Sequence, residues 1–359
     1  MKKDKSTEKA KNIRKERKKK QEEVLHDLVQ IVEEIQGTAQ NEAKELEQFS
    51  GFIEEESTVA GRVLSDLMYS FTNDLRIGKL IKSGTLRVKV VDVEPEWKAP
   101  DGYNITRFDR EKFSMKLLTK AENPRLDKII LQLHGGGYMA KIKNAYYNMA
   151  INYCDAGNGI SVLSPDYRVA PEDPYPAALE DALESYQWLL DHGWSGEQII
   201  VVGDSAGGGL AMALTMYLRD HDMPLPCGIV AMSPWTDVTA SGESYTLNYE
   251  LDPLFGNSKE TMIYVNDYAG DHDKRDPYIS PVFGSFRDFP PMLIQVGSIE
   301  MLLSDSITAA SKADAAGCEV RLSIYDDMFH VFQMAGMLLP DSKNAWEEVE
   351  QFLHLVLGK

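Results

Sequence analysis

From about residue 128 onward, short and mostly apolar runs recur along the chain: "KIILQLHGG", "GISVLSPDYR", "QIIVVGDS", "GIVAMSPW", "PMLIQVGS" and "EVRLSIYDD". Each runs into Gly, Ser, Pro, Asp or His, and none alternates cleanly between apolar and polar positions. Strands covered on both faces read this way, so the pattern predicts buried parallel strands. Between them the period changes. In "PAALEDALESYQWLLDHG", Leu179, Leu183, Tyr186 and Leu190 fall at helical spacing between Pro176 and Gly193, and Trp346, Val349, Leu353 and Val356 repeat the pattern near the C-terminus. Such alternation predicts an α/β protein: a mostly parallel sheet with helices on both faces and its ligand beyond the carboxyl ends of the strands. Two extended segments precede it, "TLRVKVVDV" (85–93) and "KFSMKLLTK" (112–120). No internal repeat is present.

The N-terminal part is patterned as helix. Val24, Leu28, Ile31 and Ile35 give an amphipathic stripe over 21–36 with Gly37 as its stop, and Ala60, Leu64, Leu67 and Phe71 share one face of a second helix. With 359 residues, 43% hydrophobic and 9% aromatic, the chain can bury a large core in one large domain or two ordinary ones. Net charge is −18, yet the first twenty residues hold eleven Lys or Arg against three acids, which leaves about −26 on the remainder. A body so acidic should repel nucleic acid and anionic membrane, so neither is expected as a partner. The basic start lacks interleaved aromatics and reads as a solvated terminus. No apolar stretch follows it as in a signal peptide, and no eighteen apolar residues run together, so a soluble, cytoplasmic protein is expected. Cys154, Cys227 and Cys318 are odd in number and unpatterned, which predicts neither a disulfide framework nor a zinc site, and no metal or cofactor is expected.

"IIVVGDSAGGGLAMALTMYLRD" sets an apolar strand, small residues around Ser205, and a helix in immediate succession. Small flanking residues permit a sharp strand-to-helix turn that lifts the serine hydroxyl over the sheet, with the helix N-terminus beneath it. No Lys-Ser or Lys-Thr pair follows the glycines, so the phosphate-loop motif is absent. A serine nucleophile needs a base, and the base an acid, later in the chain. His330, in "SIYDDMFHVFQMAG", follows the last strand, where the base belongs. His354 falls in the terminal helix pattern and His272 in a polar stretch. For the acid, "PMLIQVGSIEMLLSDS" offers Glu300, three residues past the strand-ending Gly297, and Asp305 further on; Glu300 is favoured and Asp305 is the alternative.

"LQLHGGGYMA" places His134 and three glycines directly after an apolar strand. Attack on a carbonyl develops an oxyanion that needs preorganised N–H donors, and side chains would obstruct the backbone's approach to it. The amides of Gly135 and Gly136, with that of Ala206 beside the serine, are therefore expected to form an oxyanion hole, with His134 tying the loop in place.

His134-Gly-Gly-Gly137, "DYRVAPEDPYPAALED", "GDSAGGGLA", "SPWTD", "DPYISP" and "YDDMFHVF" occur in order, and together the chain resembles the hormone-sensitive-lipase-like branch of the α/β-hydrolases, which holds many bacterial (family IV) carboxylesterases. The resemblance covers about residues 85–359. It implies Ser205 as nucleophile, His330 as base, Gly135, Gly136 and Ala206 as oxyanion hole, and Glu300 as acid where many members have Asp. It also implies a helical cap, with 46–84 as its N-terminal part and an insertion near 238–275 as the rest, over a catalytic domain at 85–359; the basic segment 1–45 falls outside it. The activity expected is cofactor-independent hydrolysis of small-molecule esters with short to medium acyl chains. Two rivals stay open: amide or formamide hydrolysis by the same triad, and a non-catalytic small-molecule receptor of the same fold. Assembly into a homo-oligomer is left open as well.

Overall fold

The apolar runs become the interior of one sheet in a computed structural model that describes residues 51–74 and 94–358. In chain order the strands are β1 (Gly51–Glu55), β2 (Tyr103–Asp109), β3 (Ser114–Lys120), β4 (Arg125–Leu133), β5 (Ile160–Asp166), β6 (Ile199–Asp204), β7 (Gly228–Met232), β8 (Met292–Gly297) and β9 (Val320–Tyr325). They lie in the order β1-β9-β8-β7-β6-β4-β5-β3-β2. All neighbours from β1 to β5 pair in parallel; β3 is antiparallel to both β5 and β2, so it alone runs against the rest. The helices are α1 (Val59–Asp74), α2 (Asn144–Ala156), α3 (Ala177–Asp191), α4 (Ala206–Asp220), α5 (Ser244–Leu247), α6 (Leu303–Ala315) and α7 (Pro340–Leu357).

The pleat explains why the runs are apolar at both parities. Ile199 and Val201 of β6, Ile229 and Ala231 of β7, and Ile294 of β8 share a buried cluster with Leu189 of α3, Leu210 and Leu214 of α4, and Ala309 of α6. Their alternates Ile200, Val202, Val230 and Leu293 are equally buried and face the other way, towards the layer of α2 and α7. Each such side chain contributes roughly 1.5–3 kcal/mol of burial. The strands can therefore be held from both sides, and the carboxyl ends of all but β3 open on one edge of the sheet.

Two features depart from the sequence reading. The segment Gly51–Glu55, expected within the cap, is a strand at the sheet edge, in register Gly51↔Arg321 to Glu55↔Tyr325, and Asp326 N–H extends the pairing to the Glu55 carbonyl at 2.9 Å. It is a short edge strand ending in two glutamates, and nothing in its composition announces it. The helix after it does form, but its packed positions are Ala60, Leu64 and Met68, while Leu67 is 62% exposed; the Phe71 side chain lies outside what is described. Thr58 caps α1 by accepting from Gly61 N–H at 3.0 Å, and it donates from its own N–H (2.7 Å) and hydroxyl (2.5 Å) to Asp341, in the first turn of α7. So anchored, α1 lies against Met328, Phe329 and Phe332, on the loop that carries His330.

The insertion at 238–275 contains one helix, the four-residue α5, and otherwise turns. The helix expected over 21–36, the basic start and the extended run 85–93 lie outside the described residues.

Candidate active site

Ser205 stands between the end of β6 and the start of α4 with φ 51° and ψ −123°. A non-glycine residue in that region costs on the order of 1–3 kcal/mol and persists only when its surroundings over-determine it. Here they do: Ser205 N–H donates to Met232 O at 2.9 Å, and its carbonyl accepts from Gly209 (3.1 Å) and Trp235 (2.8 Å). The flanking glycines answer to close approach, since a Cβ on Gly203 would run into the backbone of Gly207, and one on Gly207 into the carbonyl of Leu133. The serine is left 6% exposed at the N-terminus of a fifteen-residue helix.

Two loops from later strands meet at the same edge of the sheet. Beyond β8 comes Glu300, fully buried, and beyond β9 comes His330, 8% exposed. His330 Nδ1 lies 2.8 Å from Glu300 Oε2, while Oε1 accepts from Gly297 N–H at 2.6 Å and from the Ser233 hydroxyl at 2.7 Å. Because Nδ1 donates to the carboxylate, the neutral ring keeps its lone pair on Nε2. Ser233 also accepts from Val331 N–H at 3.1 Å, so one hydroxyl joins the acid to the residue after the histidine. Phe255 of the insertion sets its ring edgewise to His330, with centroids 4.8 Å apart. The role of Ser233 is not apparent in the sequence, although the "SPWTD" motif contains it.

Asp305, the alternative acid, has other work. Its Oδ2 accepts from Thr236 N–H (2.7 Å) and Asp237 N–H (2.8 Å), fixing the loop after β7, and burial pushes its carboxyl well above the usual range. His272 Nδ1 pairs with Ala269 O at 3.2 Å, and His354 sits exposed on α7.

The glycine loop requires one correction. Gly135, expected as an oxyanion donor, gives its N–H to Asp204 Oδ1 at 3.1 Å; a Cβ there would collide with that carboxylate. Asp204 Oδ2 accepts in addition from Tyr146 OH at 3.3 Å. Burial raises Asp204 to about 7, against the opposing pull of His330 and the Gly135 amide. Gly135 is thus the loop's anchor to the end of β6. Gly136 and Gly137 follow at φ 114° and 65°, where glycine carries no side-chain penalty, and Met262 of the insertion fills the space a Gly137 side chain would take. Among the described residues no acceptor engages the amides of Gly136, Gly137 or Ala206. His134 pins the loop from the other side. Its ring stacks on Tyr167 at 4.0 Å, Nδ1 donates to Gly135 O at 2.8 Å, and Tyr167 OH donates to His134 O at 2.5 Å. Burial lowers the ring to about 4, which keeps it neutral.

Among the described residues, no group of three or more His, Cys, Asp or Glu side chains could hold a metal ion, and no helix is long and apolar enough to cross a membrane. The three cysteines are free, with Cys154 buried and the other two partly so.

A parallel sheet with a serine elbow after its central strand, and a histidine–carboxylate pair on the loops after β8 and β9, defines the class of α/β hydrolases. Residues 130–334 match the family described as the alpha/beta hydrolase fold. The chain belongs to that family, in its hormone-sensitive-lipase-like branch of bacterial carboxylesterases. It is 36% identical over 232 residues to an acetyl-hydrolase of Streptomyces hygroscopicus, covering 65% of this chain and 77% of the relative. Among solved structures it is similar to EstE5, soaked with p-nitrophenyl butyrate (32% identity, TM-score 0.73, 84% of this chain and 100% of that one). It is likewise similar to an esterase from the bacterial hormone-sensitive lipase family (32% identity, TM-score 0.71, 83% and 98%).

The geometry separates the two acids. Glu300→Gln is expected to lower kcat by roughly 10³-fold or more, because an amide can hold the imidazole in the wrong tautomer and cannot stabilise imidazolium, whereas Asp305→Asn should leave kcat within a few-fold. Steady-state kinetics of the two variants decides, and the reverse ranking would reassign the acid.

Asp204 generates a pH prediction. Its folded value, about 7, lies above the ordinary 3.8, so the native state holds a proton that the unfolded chain releases. The stability this lends is full below about pH 4 and is lost as pH rises towards 7. Asp204→Asn, which cannot ionise, should therefore gain Tm relative to the parent across that window and hold the gain above it. A Tm difference independent of pH would show that Asp204 titrates normally.

Proposed function

We propose that this carboxylesterase works through an acyl-serine intermediate on Ser205. His330 Nε2 takes the hydroxyl proton as Oγ attacks the ester carbonyl, and Glu300 holds the ring and stabilises the imidazolium that forms. The amides of Gly136, Gly137 and Ala206 receive the oxyanion, with Gly137 taking the place first given to Gly135. Collapse expels the alcohol, protonated by His330. Water, deprotonated by the same nitrogen, then attacks the acyl carbonyl and regenerates the serine.

The observation that carries this reading is the buried His330–Glu300 contact at 2.8 Å, on loops that open at the same sheet edge as the serine in its strained elbow. A receptor would have no use for a histidine so oriented, which argues against the binding-protein alternative.

The substrates proposed are small esters with acyl chains up to about six to eight carbons, a range set by ordinary pocket volumes. Phe255 and Met262 of the insertion crowd His330 and Gly137 and so leave limited room. The similarity to an acetyl-hydrolase and to an esterase soaked with a butyrate ester points the same way. Measured from acetyl to palmitoyl nitrophenyl esters, kcat/KM should peak at or below about eight carbons, and Ser205→Ala should abolish turnover throughout. A maximum at about twelve carbons or beyond would contradict the substrate class, and a Ser205→Ala enzyme that still turns over would contradict the nucleophile.

A further inference from the structure

The insertion does more than overhang the site. From α5 onward its backbone continues in helical bonds, Asn248 N–H to Ser244 O (2.9 Å) and Asp252 N–H to Asn248 O (2.9 Å), which puts Ser244, Asn248 and Asp252 on one side at intervals of four. That side faces inward, since all three are buried, while Leu247 and Leu251 on the other side are 70% and 50% exposed. The polarity is the reverse of an ordinary surface helix.

What the inward stripe touches is the turn that presents Glu300. Asn248 Nδ2 donates to Ser298 O at 2.9 Å and to Glu300 O at 2.7 Å. Asp252 Oδ2 accepts from Met301 N–H at 2.8 Å, and its Oδ1 accepts from Leu254 and Phe255 N–H at 2.8 and 2.9 Å, which sets Phe255 against His330. Ser244 Oγ donates to Met301 O at 2.6 Å. The backbone groups at 298–301 are thus held by side chains from outside the sheet. Apolar residues at these three positions would remove the side-chain partners of the Ser298 and Met301 carbonyls and of the Met301 amide, and leave the Glu300 carbonyl with Leu303 N–H at 3.2 Å.

We propose that Asn248 and Asp252 are positioning residues for the acid: they fix the 298–301 turn so that the Glu300 carboxylate meets His330 Nδ1, and they bind the insertion and the acid–base pair into one mechanical unit. The proposal rests on the triad reading above. It predicts that loosening the stripe slows chemistry without weakening substrate binding, because a misplacement near 1 Å can cost up to about a hundredfold in rate.

The test compares Asn248→Ala, Asp252→Asn and Glu300→Gln with the parent, by kcat and KM on p-nitrophenyl butyrate, thermal unfolding, and the downfield proton resonance of His330 Nδ1–H. For the folded stripe variants, kcat is expected to fall about tenfold to a hundredfold with KM within about threefold, and the resonance should shift or vanish. Should Asp252→Asn not fold, Asn248→Ala carries the test, since it deletes only two donated bonds. Normal kcat in folded Asn248→Ala, or a lowered kcat with the resonance unmoved, overturns the inference. A crippled Glu300→Gln alongside a normal Asn248→Ala would leave the triad reading standing and sink the positioning role alone; an unimpaired Glu300→Gln would sink both.

Discussion

Everything around the site depends on one buried carboxylate. Glu300 is fully removed from water, and an ionised group so placed costs several kcal/mol unless its oxygens are occupied. Three donors occupy them, and each comes from the carboxyl end of a different strand: Ser233 after β7, Gly297 at the end of β8, and His330 after β9. The parallel sheet makes this convergence available, because neighbouring strands running the same way deliver their last residues to the same edge.

Strain gathers at that edge and is held by it. Ser205, Ser233 and Val331 all have positive φ, at the ends of β6 and β7 and just beyond β9. None is glycine, so each needs support. Ser205 takes it from Met232, Gly209 and Trp235, and Ser233 and Val331 take it partly from each other. Behind the histidine loop stands α1, fastened through Thr58 to Asp341 and packed on Phe329 and Phe332. Preorganisation of this kind lets a polar site act without rearranging at the moment of reaction.

Much of this was legible in the sequence. The buried strands announced themselves as apolar runs, and the serine elbow, the histidine after the last strand and Glu300 three residues past Gly297 followed from chain order. The failures have physical reasons. The three glycines look alike as letters, but only the fold brings Asp204 against Gly135, turning that amide away from the role assigned to it. Strand β1 is five residues with two acids, and its partner β9 lies some 270 positions away, so no local signal marks it. Leu67 shares the apolar face that the spacing predicts and is exposed, whereas Met68 beside it is packed. The insertion hides its arrangement in the same way: Leu247 and Leu251 are exposed, and the polar side of that segment is the one turned inward.

The central claim is that this edge activates Ser205 through His330 and Glu300. Exposing the folded protein to a fluorophosphonate and sequencing its peptides by mass spectrometry tests it most directly. A single phosphonyl adduct on Ser205, formed rapidly in the parent and lost when His330 is replaced by Ala, is the result predicted. Labelling at another residue, or labelling of Ser205 at the same rate without His330, would contradict it.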